Sequence, residues 1–371
     1  MYRAAPRGLC SHAFVPMVLA LLVLLGCNRP APRGPCSLEG PIGTICGFEN
    51  PEDIEYLPAE GIVVVSDLRM WSGKAPGGGF LSAFIPGGTE VWKIWPLGAP
   101  TDARTDPSLG DPSCAGSPTP GAFYPHGIVA TPRGETSLLY VVAHAGPTGG
   151  REAVEVFEIS GRGKKAVATW KACIPTPGHV LGNDAAVAPD GEIIVSNYQP
   201  TGSEWHAVRS VLFRQITGDV MAWKPGRGWR RLEGSAARQP NGVAVSPDGK
   251  NVFYSETGSG RVFRIPREGE GESIFVQVGG NPDNLSWTPR GTLLVTTHTG
   301  GAAFLLCANG RLPCRTSWEV HEINSEKMTE RLVLSHRGDL LGAVSSALEL
   351  GDRMYLGSVF SDRIGVVAVA R

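Results

Sequence analysis

Eight polar residues occupy the same kind of place in this chain. Glu52, Asp53, His126, Asn183, Asp184, Asn241, Asp283 and Asn284 each stand at the start of an apolar run that leads through a tight turn into a second apolar run. All but His126 offer oxygen, and none lies in Cys-x-x-Cys spacing. Carboxylates and amides without thiolates or paired imidazoles are hard donors, which suit calcium better than zinc or copper. Glu52, Asn183, Asn241, Asp283 and Asn284 together would bring two negative charges and three neutral amide oxygens to one divalent cation, leaving it a useful Lewis acid. Asp53 and Asp184 would form a second set completed by backbone carbonyls, and Ile128, just after His126-Gly127, is placed to offer one. Singly, an Asn or Asp at the start of a strand caps a turn. Turn capping does not require the same slot to hold an oxygen donor in copy after copy.

Positions this far apart meet only if a repeat brings them together. Pro51-Glu52-Asp53 leads into IEYLP and GIVVVSD, and Pro125-His126-Gly127 into IVATPRG and LLYVVAH. LGNDAAVAPDGEIIVSN follows from Leu181, then Pro240-Asn241-Gly242 with VAVSPDG and NVFYSE, then Pro282-Asp283-Asn284 with LSWTPRG and TLLVTTH. A weaker copy begins at Ser345-Ser346 with ALELGD and RMYLGSVF. Short strand pairs recurring at intervals of roughly 40 to 60 residues, with room for two outer strands between copies, point to a propeller. The expected fold is all-β, a six-bladed β-propeller with metal ions in the central tunnel. Side chains alternate along a strand, so Glu52-Asp53 and Asn183-Asp184 could each send one member to one site and the other deeper along the channel.

The charge balance of 34 Lys+Arg against 35 Asp+Glu gives no footprint for nucleic acid. Arg3 and Arg7 precede the apolar run FVPMVLALLVLLG, which is short for a membrane span and ends at Cys27. Leu24-Leu25-Gly26-Cys27 resembles a bacterial lipobox, so residues 1–27 read as a lipoprotein signal with Cys27 as the lipidated residue; a plain secretory signal is the alternative. The protein is then expected in the bacterial cell envelope, on the periplasmic or outer-membrane face, held to the membrane by an N-terminal lipid anchor. Residues 28–46 read as a tether, 47–371 as the propeller, and 70–123, rich in Gly, Pro and Ser, as a lid at the channel mouth or a loose surface insertion. Six cysteines remain in an oxidising compartment. Cys307 and Cys314 are the closest in sequence; Cys36 with Cys46 and Cys114 with Cys173 is one arrangement open to the rest.

PEDIEYLP, YPHGI, GNDAAV, PNGVAVSPDG, PDNLS and YLGSVF, in that order, resemble the signature segments of the paraoxonase/arylesterase family of calcium-dependent lactonases, from about Phe48 to Phe360. The resemblance implies a catalytic calcium held by Glu52, Asn183, Asn241, Asp283 and Asn284, and a structural calcium held by Asp53, Asp184 and the carbonyl of Ile128. It also implies a histidine dyad at His126 and His144 and a histidine of the active-site wall at His298. The implied reaction is hydrolysis of a lactone or aryl ester, with the cation on the carbonyl oxygen and His126 as general base, its basicity raised by His144; Glu52 or Asp283 is the alternative base. The chain departs from the family in three respects, one being the lipobox-like signal in place of the hydrophobic N-terminus that animal members retain. No Cys follows Cys314 to close the ring, which leaves strand exchange between the chain ends, and Gln239-Pro240 stands where the family often has an aromatic and a small residue. Two other readings stay open: a gluconolactonase-like sugar lactonase with a single site of similar ligands, and a non-catalytic envelope propeller. Asp53-Asp184 and the His126/His144 pair favour the paraoxonase-like reading over the sugar lactonase. Ser345 and Ser346 lack the G-x-S-x-G elbow of a serine hydrolase, and His179, His206, His321 and His336 lie outside the repeated slots. The expected partner is a small lactone or ester, not nucleic acid, and the sequence leaves the oligomeric state open.

Overall fold

A computed structural model describes residues 36–69, 77–97, 105–146, 149–200, 213–269, 271–301, 304, 307, 314–338 and 340–369. The signal segment, Cys27 and the first part of the tether lie outside the described residues.

Each copy of the repeat opens one four-stranded antiparallel sheet, and there are six such sheets. Blade one holds β2 (Pro51–Leu57), β3 (Ile62–Asp67), β4 (Phe80–Phe84) and β5 (Val91–Trp95). Blade two holds β6 (Tyr124–Arg133), β7 (Thr136–His144), β8 (Ala153–Ser160) and β9 (Val167–Pro175). Blade three runs from β10 (Leu181–Val187) and β11 (Ile193–Gln199) to β12 (Asp219–Lys224) and β13 (Gly228–Arg231). Blade four contains β14 (Pro240–Val245), β15 (Asn251–Glu256), β16 (Arg261–Pro266) and β17 (Ile274–Gln277). Blade five contains β18 (Asn281–Trp287), β19 (Leu293–His298), β20 (Trp318–Asn324) and β21 (Thr329–His336). The last blade takes β22 (Val344–Leu350), β23 (Arg353–Ser358) and β24 (Arg363–Ala368) from the C-terminal end and β1 (Gly43–Cys46) from the N-terminal end.

The expected six-bladed propeller is therefore what the chain forms. Ring closure is the β1–β24 pairing, from Gly43↔Val366 to Cys46↔Arg363, so strand exchange does the work that a terminal disulfide would do. Gly43–Cys46, read above as the end of the tether, is thus a blade strand.

The strands read as near-continuous apolar runs because both faces are covered. In β3, Val63 and Val65 pack toward the last blade while Ile62 and Val64 pack toward blade two, all four fully buried. Burial of this kind contributes roughly 1.5–3 kcal/mol per aliphatic side chain, and similar cores fill the other interfaces. Turns such as Pro189-Asp190-Gly191 close the first hairpins, with Gly191 at φ +79° where an L side chain would be strained.

Part of the segment 70–123 belongs to the blades. Phe80–Phe84 and Val91–Trp95 are the outer strands of blade one, and Gly/Pro-rich flanks had masked them. Residues 105–123 run along blade two, where Asp106 N–H and Asp111 N–H each donate to β9 carbonyls at 3.0 Å. Phe123 then packs edge-on against Trp95 and Phe157. Residues 70–76 and 98–104 lie outside the described residues. The three disulfides are Cys36–Cys46, Cys114–Cys173 and Cys307–Cys314, as paired above.

Candidate active site in the central tunnel

The two-residue slot at the start of each inner strand is where pairing with the second strand breaks register. The shift falls between Pro51 and Asp53, Pro125 and Ile128, Gly182 and Ala185, Pro240 and Val243, Pro282 and Leu285, and Val344 and Ser346. A bulge of this kind re-aims side chains and frees backbone groups that must find other partners. Hydroxyls toward the ends of the second strands supply some of them. Ser66 accepts Asp53 N–H, Ser196 accepts Asp184 N–H, and Ser255 accepts Gly242 N–H while donating to Asp283 O of the next blade. In blade six, Ser345 and Ser346 both donate to Glu52 O.

The second residue of the slot grips the neighbouring blade. Asp53 accepts Ile54 N–H and Ile128 N–H, both at 2.8 Å. Asp184 accepts Ala185 N–H at 2.7 Å and Val243 N–H at 2.8 Å. The facing slots hold Gly127 and Gly242 because there is no room for more: a Cβ on Gly127 would come 2.4 Å from Asp184 Oδ1, and one on Gly242 2.5 Å from Leu285 N. Ile128 meets this cluster through its amide, which donates to Asp53, and all four Asp53 and Asp184 carboxylate oxygens hold a backbone N–H.

The first residues of the slots, joined by Asn284 from the second position in blade five, are different. Glu52, Asn183, Asn241, Asp283 and Asn284 are between 1% and 7% exposed. Glu52 Oε2, Asn183 Oδ1, Asn241 Oδ1 and Asn284 Oδ1 are buried with no hydrogen-bond partner among the described residues. Asn284 Nδ2 donates to Glu52 Oε1 at 2.9 Å, which ties blade five to blade one. A buried oxygen without a partner costs about 1–3 kcal/mol, so four of them on four inner strands call for a donor that the described side chains do not supply. Among the described residues no three His, Cys, Asp or Glu side chains are grouped to hold a metal ion. The converging donors are mostly amides, and amide and carboxylate oxygens suit a calcium-like ion.

Electrostatics point the same way. Burial, then the nearby Asp283 carboxylate, pushes Glu52 well above the usual carboxylate range. Burial and the charge of Glu52 do the same to Asp53, and burial and the charge of Asp53 do it to Asp184. Without a positive charge among them, these carboxylates repel one another in low-dielectric surroundings, which favours their protonated forms.

A relay of side chains abuts this set. His126 Nε2 lies 3.5 Å from Glu52 Oε1. On its other side His126 Nδ1 is 2.7 Å from His144 Nε2, and His144 Nδ1 is 2.7 Å from Glu152 Oε2. Burial pushes His126 down to about 4, with Asp283 and Glu152 pulling in the opposite direction. His298 lies across the set, its Nε2 2.7 Å from Asp283 Oδ2. Phe304 stacks over His298 with ring centroids 4.3 Å apart and touches Phe360 at 5.5 Å. With Leu68, Tyr124, Val359 and the Cys307–Cys314 pair these rings form an apolar wall beside the polar set.

Glu152 is the site residue missed in the sequence. A second missed group is the polar ring ending the second strands, Asp67, Asn197, Glu256 and Ser358 alongside His144 and His298. Its signal was present, since VVVSD, IVSN, NVFYSE and YLGS all end on a polar residue.

Fold and site together define a six-bladed propeller with an oxygen-lined tunnel. Solved structures of the same architecture include a gluconolactonase from Xanthomonas campestris, at 18% identity over 92% of this chain and 100% of that one, TM-score 0.52. A luciferin-regenerating enzyme matches at 12% identity over 89% and 96%, TM-score 0.51. The likeness is one of fold. No protein-family model matches the chain, and no curated protein does.

Proposed function

We propose that the protein is a calcium-dependent hydrolase of lactones and aryl esters, paraoxonase-like in its site, exported and lipid-anchored through Cys27. The observation that carries the reading is the 3.5 Å approach of His126 Nε2 to Glu52 Oε1, which joins a histidine relay to a set of unpartnered oxygens. Glu52, Asn183, Asn241, Asp283 and Asn284 would hold the catalytic calcium. Asp53, Asp184 and the Ile128 carbonyl would hold a second one, sharing the carboxylate oxygens with the backbone amides they already accept. When bound, calcium supplies a Lewis acid for the ester carbonyl.

The chain's own residues do the rest. His126, neutral at pH 7 because burial pushes it down to about 4, has a ring nitrogen available to take the proton of an attacking water. His144, bonded to its other nitrogen, fixes the ring's orientation. The Asp283 and Glu152 carboxylates favour the imidazolium that forms. The wall of Tyr124, Phe304 and Phe360 excludes water and suits an aryl or alkyl group better than a polyhydroxylated sugar ring. Among the described residues no helix is long and apolar enough to cross a membrane.

The test is turnover of phenyl acetate, an aliphatic δ-lactone, an acyl-homoserine lactone and gluconolactone by the purified chain, with chelation and calcium add-back. Calcium-dependent turnover of the apolar esters, lost in His126→Gln with folding intact, is expected. Turnover of gluconolactone alone would move the assignment to a sugar lactonase. A calcium-binding protein that turns over nothing would leave a non-catalytic propeller.

A further inference from the structure

The histidine relay does not end at His144. Glu152 immediately precedes β8 and Ala145 immediately follows β7, so the Glu152 carboxylate spans the base of the connection between these strands. One oxygen meets His144 Nδ1 at 2.7 Å and the other accepts Ala145 N–H at 2.9 Å. The residue is held firmly from behind. Its carbonyl accepts Thr176 N–H at 3.0 Å and the Thr176 hydroxyl at 3.2 Å. The next residue but two, Glu155, is gripped by Arg151 through two bonds of 2.7 and 2.9 Å and by Trp170 Nε1 at 2.8 Å. Glu155 also faces Cys173 in the β8–β9 register, and Cys173 is disulfide-bonded to Cys114.

Counting protons along the relay fixes which nitrogen carries each one. A carboxylate only accepts, so His144 Nδ1 carries a hydrogen. In the neutral ring Nε2 is then bare, and its partner His126 Nδ1 at 2.7 Å must be the donor. That leaves the lone pair of His126 on Nε2, the nitrogen that faces Glu52.

We propose that Glu152 is a positioning residue that sets the tautomer of both histidines and so makes His126 Nε2 the acceptor presented to the tunnel. The consequence for turnover rests on the hydrolase reading above; the tautomer assignment does not. A bare hairpin cap would be served equally well by glutamine, whose carbonyl oxygen can accept Ala145 N–H. The NH2 of that glutamine would then face His144 Nδ1 as a donor. His144 would carry its hydrogen on Nε2, donate to His126 Nδ1, and leave His126 with N–H where the lone pair had been. Replacing one oxygen by NH2 reverses the polarity of the whole relay while keeping its shape.

The experiment is nitrogen-15 NMR of the histidine rings in the full chain, without substrate, for the wild type, Glu152→Gln and Glu152→Asp. The expected result is Nδ1–H on both His126 and His144 in the wild type, Nε2–H on both in Glu152→Gln, and the wild-type pattern in Glu152→Asp. In parallel, Glu152→Gln should lower kcat on phenyl acetate by about 10²-fold or more with little change in KM, and Glu152→Asp should recover most of it. Wild-type His126 protonated on Nε2 overturns the proposal, and that measurement needs no variant to fold. Unchanged tautomers in a folded Glu152→Gln also overturn it, whereas reversed tautomers with undiminished turnover support the assignment and remove His126 Nε2 from the hydrolytic step. Reversed tautomers in a protein that hydrolyses no ester support the proposal and sink the hydrolase reading instead.

Discussion

Replacing Asp184 by alanine removes two acceptors at once. Its carboxylate takes Ala185 N–H at 2.7 Å and Val243 N–H at 2.8 Å, with 3% of the residue exposed. Alanine leaves both amides buried without a partner, at about 1–3 kcal/mol each. Part is returned, because the charge removed is one that Asp53 and Glu52 repel. The expected net loss in chelator is about 2–4 kcal/mol. For the unit Pro35–Arg371, an unfolding entropy near 0.7 kcal/mol per degree turns this into a fall in Tm of roughly 3–6 °C. Calcium separates the amide clamp from a metal-holding role. At a hundred times its Kd, an ion that binds only the folded state adds about 2.7 kcal/mol, or about 4 °C here. If Asp184 also holds calcium, that increment shrinks in the variant. The assay is thermal unfolding followed by circular dichroism, wild type and Asp184→Ala, each in chelator and in excess calcium. A variant melting within about 1 °C of wild type in chelator would refute the clamp. One that loses stability in chelator yet keeps the full calcium increment would remove Asp184 from the calcium ligands.

Glu52→Gln removes one of the two charges of the first oxygen set and should weaken calcium binding by on the order of tenfold or more; calorimetric titration with calcium checks this, and an unchanged Kd would count against the ligand set. Because burial and mutual repulsion raise Glu52, Asp53 and Asp184, the metal-free fold holds protons that the unfolded chain has lost above about pH 4. Each such group therefore destabilises the metal-free protein as pH rises toward its native pKa. His126, pushed down to about 4, acts oppositely, and its effect is complete by about pH 7. Calcium must displace those carboxylate protons, so its Kd should fall from pH 5.5 to 8; a flat profile would show that the carboxylates are not at the metal. Phe304→Ala strips the ring over His298 and should lower kcat/KM for phenyl acetate about tenfold while sparing gluconolactone; equal losses on both substrates would mean that the ring only supports the fold.

The repeat was legible because each copy carries its own punctuation, a polar slot, an apolar run and a Pro/Gly turn, and this holds even at Ser345-Ser346 where the slot has no acid. Cys307–Cys314 was legible by proximity, while Cys36–Cys46 and Cys114–Cys173 were one of the arrangements left open. What escaped has physical reasons. FLSAF and VWKIW were hidden because the Gly- and Pro-rich stretches around them dominate the local composition, and GTIC because a four-residue strand makes sense only beside β24. The Ile128 amide reaches across to Asp53, a contact no strand pattern announces, since the bulge between Pro125 and Ile128 breaks the simple alternation. Glu152 had no repeat equivalent to flag it, because it reaches His144 only once the β7–β8 connection closes.

The bulges also explain why each slot needs two residues. In an unbroken strand consecutive side chains point to opposite faces, and one of each pair would be lost to a blade interface. With the register broken at every slot, both members can meet the neighbouring inner strands, and they divide the work. Glu52, Asn183 and Asn241, first in their slots, keep an oxygen without a partner, while Asp53 and Asp184, second in theirs, have both oxygens satisfied by backbone amides. Substitutions at first positions should therefore register mainly as ligand affinity and those at second positions mainly as stability. Asn284 is second in its slot yet does both, donating to Glu52 while keeping Oδ1 unpartnered. It thus couples the bond between the inner strands of blades five and one to the oxygen set itself, and loss of a ligand there loosens the carboxylate that His126 faces.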